Sequence, residues 1–131
     1  MMKAKLKSDT NQKINYIAFQ TLIGLRFINK ESVVYFEFTK DDKSERSLWK
    51  AHLENAETIK LKLNTTSKDI IKHFENHDFI QISQSYIVNL KFFSSIELKS
   101  RKCALLPPYE EKEMIISRAY LNEIKCRFEI E

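Results

Sequence analysis

Gly24 is the only glycine in this chain of 131 residues, although average usage of about 7% would supply roughly nine. Glycine is the residue that lets a backbone turn tightly and approach a phosphate group closely. A Walker A loop requires two glycines, and a dinucleotide-binding fingerprint requires three. The sequence therefore excludes both phosphate-binding loops, the Gly-x-Ser-x-Gly nucleophile elbow, and collagen-like or glycine-rich linker structures.

The length and composition indicate one globular domain. The chain is 43% hydrophobic and 31% charged, which is typical of a folded protein rather than a disordered one. It has no run of about 18 apolar residues that could span a membrane. The first residues carry lysines but lack the apolar segment of a secretory signal. We therefore expect a cytoplasmic protein with no membrane partner.

The positive charge is concentrated at the N-terminus. Residues 1–13 contain four of the 22 basic residues and one of the 18 acidic residues, so the rest of the chain has a net charge of only +1. We expect a flexible basic tail over residues 1–13 and one domain over residues 14–131. The total charge of +4 is then a weak argument for nucleic-acid binding, and the positions of the charges on the fold must decide.

The hydrophobic pattern predicts a mainly β domain with two short helices. The clearest feature is a hairpin, in which Trp49, Ala51 and Leu53 alternate with polar residues before a turn at 54–56 and a second alternating run follows it. The other β-prone runs cover residues 14–19, 22–28, 33–38, 79–82, 92–98, 102–106 and 113–117. Helical periodicity covers residues 66–76, with Thr66 or Ser67 as the N-cap, and residues 119–128, where Tyr120, Leu121, Ile124 and Phe128 are expected to face inward.

No arrangement of residues predicts catalysis, a metal or another cofactor. His73 and His77 have the spacing of a helical ligand pair, but no third ligand accompanies them. The acidic pairs at 41–42 and 110–111 fall in loops that we expect to be solvated. We expect Cys103 and Cys126 to be reduced and mostly buried thiols. The chain is therefore not expected to be an enzyme.

Basic residues outside the tail gather in three places. Lys40, Lys43 and Arg46 lie in the loop before the hairpin, Arg118 follows the last strand, and Lys99, Arg101 and Lys102 lie in a tight turn. Composition alone favours ordinary solvated loops. Loops with arginines and amides are nevertheless suited to reading base edges, because Arg can bind guanine and Gln can bind adenine with two hydrogen bonds.

Four segments resemble the LytTR family of bacterial DNA-binding domains. Residues 79–90, FIQISQSYIVNL, closely resemble the family signature. Residues 115–120, IISRAY, are similar to its closing strand-to-helix motif, and residues 33–37, VVYFE, to an early strand. The helix at 66–76 lies where the family has a helical segment. The resemblance covers roughly residues 22–128, and the order of the segments makes it specific.

The resemblance implies an elongated fold of small antiparallel sheets, with loops that enter adjacent major grooves of DNA. The family's contact positions match Arg46 or Ser47 in the loop before the hairpin, Gln84, and Arg118, and we add Lys40 and Lys43 from the same loop. Family members usually act as response-regulator output domains in two-component systems. The implied partners are double-stranded DNA, a second copy on tandem sites, and a receiver domain or sensor-kinase pathway acting in trans.

The chain also departs from the family pattern. The basic residue that members often carry near Ser83 and Gln84 is absent, and an acidic loop that begins at Pro107 replaces a common glycine. These departures, with the net charge of +1 outside the tail, motivate an alternative: a protein-interaction module on the same fold that has lost DNA binding. Among the signature residues, we expect Asn89 to cap a turn and Tyr86 to lie in the core.

Overall fold

The computed structural model describes residues 15–74 and 78–130, in which ten strands and two helices are found. The strands are β1 (Tyr16–Gln20), β2 (Leu25–Asn29), β3 (Val33–Lys40), β4 (Ser47–Leu53), β5 (Thr58–Lys60), β6 (Phe79–Gln81), β7 (Tyr86–Asn89), β8 (Phe93–Glu97), β9 (Lys102–Leu105) and β10 (Met114–Ile115). The helices are α1 (Ser67–Lys72) and α2 (Arg118–Arg127). Single 3-10 turns at Lys30–Ser32 and Leu90–Phe92 lead into β3 and β8. The predicted mainly β fold with two short helices is confirmed.

The strands form three antiparallel sheets. The central sheet has five strands in the order β5-β4-β3-β7-β6, β1 pairs with β2, and β8, β9 and β10 form the third sheet. The predicted hairpin is the β4–β5 pair, in which Ala51 lies opposite Ile59. Its inner face is apolar as expected, since Trp49 is buried. The small antiparallel sheets that the family resemblance implied are therefore present.

The central sheet buries apolar side chains on both of its faces. One cluster contains Phe36, Ala51 and Ile70 and is closed by the β1–β2 hairpin and α1. The other contains Val34, Val88 and further residues of the third sheet and α2. Strand β3 can serve both clusters because its first four residues are all buried. Each large apolar side chain removed from water in this way contributes about 1.5–3 kcal/mol.

Helix α1 begins where the sequence predicts, because Thr66 and Asp69 form a reciprocal capping box. The Asp69 backbone N–H donates to Thr66 Oγ1 at 3.1 Å, and the Thr66 N–H donates to Asp69 Oδ2 at 2.9 Å. These two bonds hold the pKa of Asp69 below its usual range. The helix ends at Lys72. The end predicted at residue 76 lies outside the described residues.

Two expectations for the C-terminal helix were wrong. Phe128 is 49% exposed, because α2 ends at Arg127 and the chain leaves the core there. Cys126 is exposed for a different reason, since it lies on the face of α2 opposite Leu121 and Ile124. Cys103 is buried as expected, and burial raises the pKa of its thiol to about 11. Both cysteines are free.

Candidate nucleic-acid interface

Three predicted contact segments meet at one end of the strands of the central sheet, where β3 ends and β4 and β7 begin. Loop 41–46 joins β3 to β4, and loop 83–85 precedes β7, which starts opposite Glu37 near the same end of β3. The Phe38 N–H donates to the Ser85 carbonyl at 2.9 Å, which ties the two loops together through β3. The start of α2 joins them because the Ser117 N–H donates to the Ile82 carbonyl at 2.9 Å. We call these two loops and residues 117–118 the contact edge.

Asp41 is the internal anchor of loop 41–46. Its side chain is 2% exposed, with Oδ1 lying 2.6 Å from Lys60 Nζ. Its Oδ2 accepts hydrogen bonds from the Ser44 N–H at 2.9 Å and the Ser44 hydroxyl at 3.0 Å. Lys60 and Ser44 therefore hold the pKa of Asp41 well below its usual range. The expectation that both carboxylates at 41–42 are solvated was wrong for Asp41, because Lys60 from β5 covers it.

The anchored loop presents its cations outward. Its backbone closes through the Asp41 N–H, which donates to the Arg46 carbonyl at 2.8 Å, while Glu45 turns the chain with a φ of +62°. The exposed basic side chains of this segment are Lys40, Lys43 and Arg46. Within the described residues, none of them forms an ion pair. Ser47, opposite Lys40, is also exposed. The exposed carboxylates of Asp42 and Glu45 lie between these cations.

Two hydrogen bonds fix the backbone of loop 83–85, and the loop exposes one side-chain amide to solvent. The Ser85 N–H donates to Ser83 Oγ at 3.1 Å, and Gln81 Nε2 donates to the Ser83 carbonyl at 3.0 Å. Gln84, between the two serines, is exposed, and its amide has no partner among the described residues. Because an amide both donates and accepts hydrogen bonds, it can recognise the paired groups of an adenine edge.

A polar network on the adjacent sheet face supports this loop. Glu37 Oε1 lies 2.9 Å from His52 Nε2, and Glu37 Oε2 accepts hydrogen bonds from the Tyr86 hydroxyl and Lys112 Nζ, each at 3.3 Å. Burial alone would raise the pKa of Glu37, but Lys112 and His52 outweigh burial and lower it. Tyr86, which was expected to lie in the core, is only half-buried and packs against the border of the second apolar cluster, because its hydroxyl reaches Glu37. Since Tyr86 follows Ser85 directly, the network fixes one end of loop 83–85.

His52 is neutral within this network. Burial lowers its pKa, and this effect outweighs the hydrogen bond with Glu37 that raises it. Because the Glu37 carboxylate can only accept, the neutral ring donates to it from Nε2, 2.9 Å away, and Nδ1 accepts a hydrogen bond from the Thr58 hydroxyl at 3.2 Å. Tyr35 stacks on the ring with centroids 4.3 Å apart. The sequence analysis missed this network, although His52 and Thr58 lie on the polar face of the hairpin that the alternation identifies.

Arg118 is exposed at the first position of α2. The Ser117 side chain makes no capping hydrogen bond, so it leaves the first backbone N–H groups of the helix uncapped. The N-terminal end of a ten-residue helix also carries a partial positive charge from the aligned peptide dipoles. Arg118 and this helix end therefore place positive charge beside Gln84.

The opposite end of the central sheet carries six carboxylates, two of which form ion pairs: Glu57 with Arg26 and Glu31 with Lys91. There the Glu54 N–H donates to the Ser32 carbonyl at 2.9 Å, and the Tyr109 hydroxyl donates to the Leu53 carbonyl at 2.7 Å. Asn89, expected to cap a turn, does so: its Oδ1 accepts from the Lys91 N–H, and its Nδ2 donates to the Val33 carbonyl. We call this end the acidic edge, and its carboxylates are Glu31, Glu54, Glu57, Asp78, Glu110 and Glu111.

No metal site or membrane span is found in the described part of the chain. Residues 15–74 and 78–130 contain no cluster of three or more metal-ligating side chains. His73 packs against the Phe19 ring, with centroids 5.0 Å apart, whereas His77 lies outside the described residues. No helix among them is long and apolar enough to cross a membrane.

Comparison with known proteins gives the family and the fold of the chain. The family model for the LytTr DNA-binding domain matches residues 24–129. The chain belongs to this family. A solved LytTr DNA-binding domain, from a Bacillus cereus protein described as a methyl-accepting/DNA response regulator, has the same fold with a TM-score of 0.64 at 17% identity. The match covers 88% of this chain and 98% of that one. No curated protein matches this chain.

Proposed function

We propose that this LytTR domain is a transcription regulator that binds duplex DNA sequence-specifically through its contact edge. The observation that carries the proposal is that two backbone hydrogen bonds bring three separate segments to one end of the sheet. Phe38 of β3, which continues into loop 41–46, bonds to Ser85, and Ser117 bonds to Ile82 next to loop 83–85. The exposed cations of these segments lack acidic partners in the described structure. A polyanion such as DNA supplies the missing counter-charges.

The three segments divide the work by their chemistry. Arg46 and Arg118 have the planar guanidinium groups that bind guanine or phosphate with two hydrogen bonds, and Gln84 has the amide that suits adenine. Lys40 and Lys43 act as point charges on backbone phosphates, and Ser47 donates its hydroxyl to a phosphate. Because these groups come from loops at separate positions along the edge, the site they read spans two adjacent major grooves.

The extent of the DNA-binding domain, its location and its partners are also proposed. Residues 14–131 act as the DNA-binding domain, and residues 1–13 add nonspecific attraction through their net charge of +3. The domain works in the cytoplasm without a cofactor or catalysis. A second copy binds the neighbouring half of a tandem site, and a receiver domain or sensor-kinase pathway in trans supplies the input signal.

The test is affinity for a selected duplex and for random duplexes, measured at two salt concentrations. Loss of a good bidentate base contact in Gln84→Ala or Arg118→Ala is expected to cost about 1–3 kcal/mol. Gln84 carries no charge, so its removal should lower specificity and leave the salt dependence unchanged. Asn55→Ala, a change of an exposed amide in the turn 54–57 at the other end of the sheet, is the matched control and should bind like the parent.

Footprinting on the selected duplex provides a second reading of the same proposal. We expect two protected patches on one face of the duplex, about one helical turn apart. A single short patch, or equal affinity of both variants and parent for the selected site, would contradict the proposed contacts.

One observation favours the alternative of a protein-interaction module. The β1–β2 hairpin exposes large apolar side chains, with Ile23 at 96%, Leu25 at 62% and Phe27 at 67% exposure. Such a patch is typical of a surface that contacts another protein. The same binding assay separates the two functions, since a protein-interaction module would show no salt-dependent affinity for any duplex.

A further inference from the structure

The turn between β8 and β9 is a basic segment that the proposed contacts do not include. Lys99 and Lys102 are exposed in it, and Arg101 is half-buried. The turn contains Ser100, whose hydroxyl donates to the Glu97 carboxylate at the end of β8. Among the described residues, the cations of this turn form no ion pair. We call residues 98–102 the basic turn.

Hydrogen bonds hold the basic turn beside the start of α2. The Ile116 N–H donates to the Arg101 carbonyl at 2.9 Å, and Arg101 Nη1 donates to the Ile116 carbonyl at 3.3 Å. Ile115 lies opposite Lys102 in the β9–β10 pair. Arg118 follows Ile116 by two residues. The basic turn therefore extends the positive surface of the contact edge beyond Arg118.

The backbone of the turn adds an independent observation. Arg101 has a φ of +63°, in the left-handed region that glycine enters freely and larger residues enter at a steric cost. An arginine thus occupies a position where glycine would fit the backbone better. Its guanidinium uses one N–H on Ile116, and the remaining donors stay available because an arginine has five.

We propose that the basic turn is a fourth DNA-contacting segment, which binds backbone phosphates next to the groove that Arg118 enters. This inference rests on the proposed function. Lysine is a compact point charge that suits phosphate, and residues 98–102 contain no amide side chain that could read a base edge. The turn therefore adds affinity and salt dependence without adding sequence preference.

The test compares the full chain with the double variant Lys99→Gln/Lys102→Gln. Each lost phosphate contact lowers the slope of log affinity against log salt by about 0.9, which corresponds to roughly eightfold in affinity at 0.1 M salt. The expected result is a slope lower by about two units and an unchanged ratio of specific to random affinity. Lys30→Gln/Lys91→Gln, which removes the same charge at the acidic edge, is the matched control and should leave the slope nearly unchanged.

A second variant, Arg101→Gly, removes a cation and the side-chain hydrogen bond to Ile116, while the backbone bond to Ile116 remains and relief of the left-handed backbone offsets the loss. It should lower the slope by about one unit without lowering the melting temperature. An unchanged slope in both variants would overturn the inference, and so would a loss of specificity equal to that of Gln84→Ala. If the parent itself shows no salt-dependent binding, the proposed function is contradicted. If the parent binds DNA but the variants of the basic turn have the same slope as the parent, only the fourth contact is contradicted.

Discussion

The two edges of the central sheet are both closed by hydrogen bonds, yet they present opposite charges to solvent. At the contact edge, the side chains of Asp41 and Ser83 accept hydrogen bonds from backbone N–H groups of their own loops. Arg46 and Gln84 are left exposed to solvent. At the acidic edge, Asn89 and Tyr109 point inward in the same way. The side chains left outside there are mostly carboxylates, although Lys30 and Lys91 lie among them. The comparison teaches that the inward polar residues fix the backbone at each edge, and that the charges of the outward residues determine which kind of partner each edge can bind.

This polarity explains how a domain with little net charge can be suited to DNA. Outside residues 1–13 the net charge is only +1. The carboxylates of the turn at 54–57 and of Glu110 and Glu111 lie at the far end of the sheet, away from any duplex seated on the contact edge. The local field that phosphates meet is therefore set by the separation of the charges and not by their sum.

The largest expected effect comes from reversing the charge of the contact edge. Arg46→Glu combined with Arg118→Glu should lower specific affinity by roughly a hundredfold or more, because two contacts are lost and repulsion is added. The matched reversal at the acidic edge, Glu110→Lys/Glu111→Lys, should retain specific binding and raise nonspecific affinity slightly. The measurement is a titration of labelled duplex at fixed salt, with melting curves as the folding control. Equal losses from both reversals would contradict the distinction between the edges.

The next effect concerns stability at the acidic edge. Asn89→Ala removes the donor to Val33 and the acceptor for Lys91, and it leaves a buried carbonyl unsatisfied. The expected cost in the free energy of unfolding is about 1–3 kcal/mol, with DNA affinity unchanged below the melting transition. Chemical denaturation measures this cost. Gln84→Ala is the counterpart and should show the reverse pattern: unchanged stability and reduced specificity.

The sequence predicted the elements and the family well, since alternation and the signature at 79–90 are local patterns. It predicted correctly that Asn89 caps a turn, because an Asn before a new strand has few other local roles. It could not predict that Asp41 is buried, because Lys60 comes from a strand about 20 residues later. The left-handed turns at Glu45 and Arg101 were equally hidden, since sequence patterns expect glycine at such positions.

The site residues could be predicted from the sequence only in part. The positions of Gln84 and Arg118 came from the family resemblance, and the structure places their segments together through one backbone bond between Ser117 and Ile82. Their contacts with DNA stay a prediction. The network joins Glu37 to His52, 15 positions later, and to Lys112, 75 positions later, and no local pattern connects residues so far apart.

A smaller effect is expected from pH on the network between the two edges. The pKa of His52 is lowered chiefly by burial, so the unfolded chain takes up its proton first as the pH falls through about 6.5. Stability should therefore fall below pH 6.5 and be fully present above it. Denaturation midpoints at pH 7.5 and 5.5 measure the change. His73 shifts in the same direction, so His52→Gln should remove only part of the dependence; a variant with the parent's full dependence would contradict the role of His52.

The smallest effect is expected from residues 1–13. The domain begins beside the acidic edge, where the Asn15 carbonyl accepts the Lys30 N–H at 2.6 Å. Deleting these residues removes a charge of +3, which should lower affinity for random DNA by less than about tenfold. The melting temperature and the preference for the selected site should not change. Replacing their four lysines with glutamine is the control that separates charge from length.

The most direct test of the central claim is an NMR titration of the labelled domain with its selected duplex, followed through backbone amide shifts. The account predicts the largest shifts in loop 41–46, loop 83–85 and residues 117–118, with little change at the turn 54–57 and the loop 107–111. It also predicts that the shifts weaken as salt is raised, because phosphate contacts release counterions. Largest shifts at the acidic edge or on the β1–β2 hairpin would contradict the claim that the contact edge binds DNA.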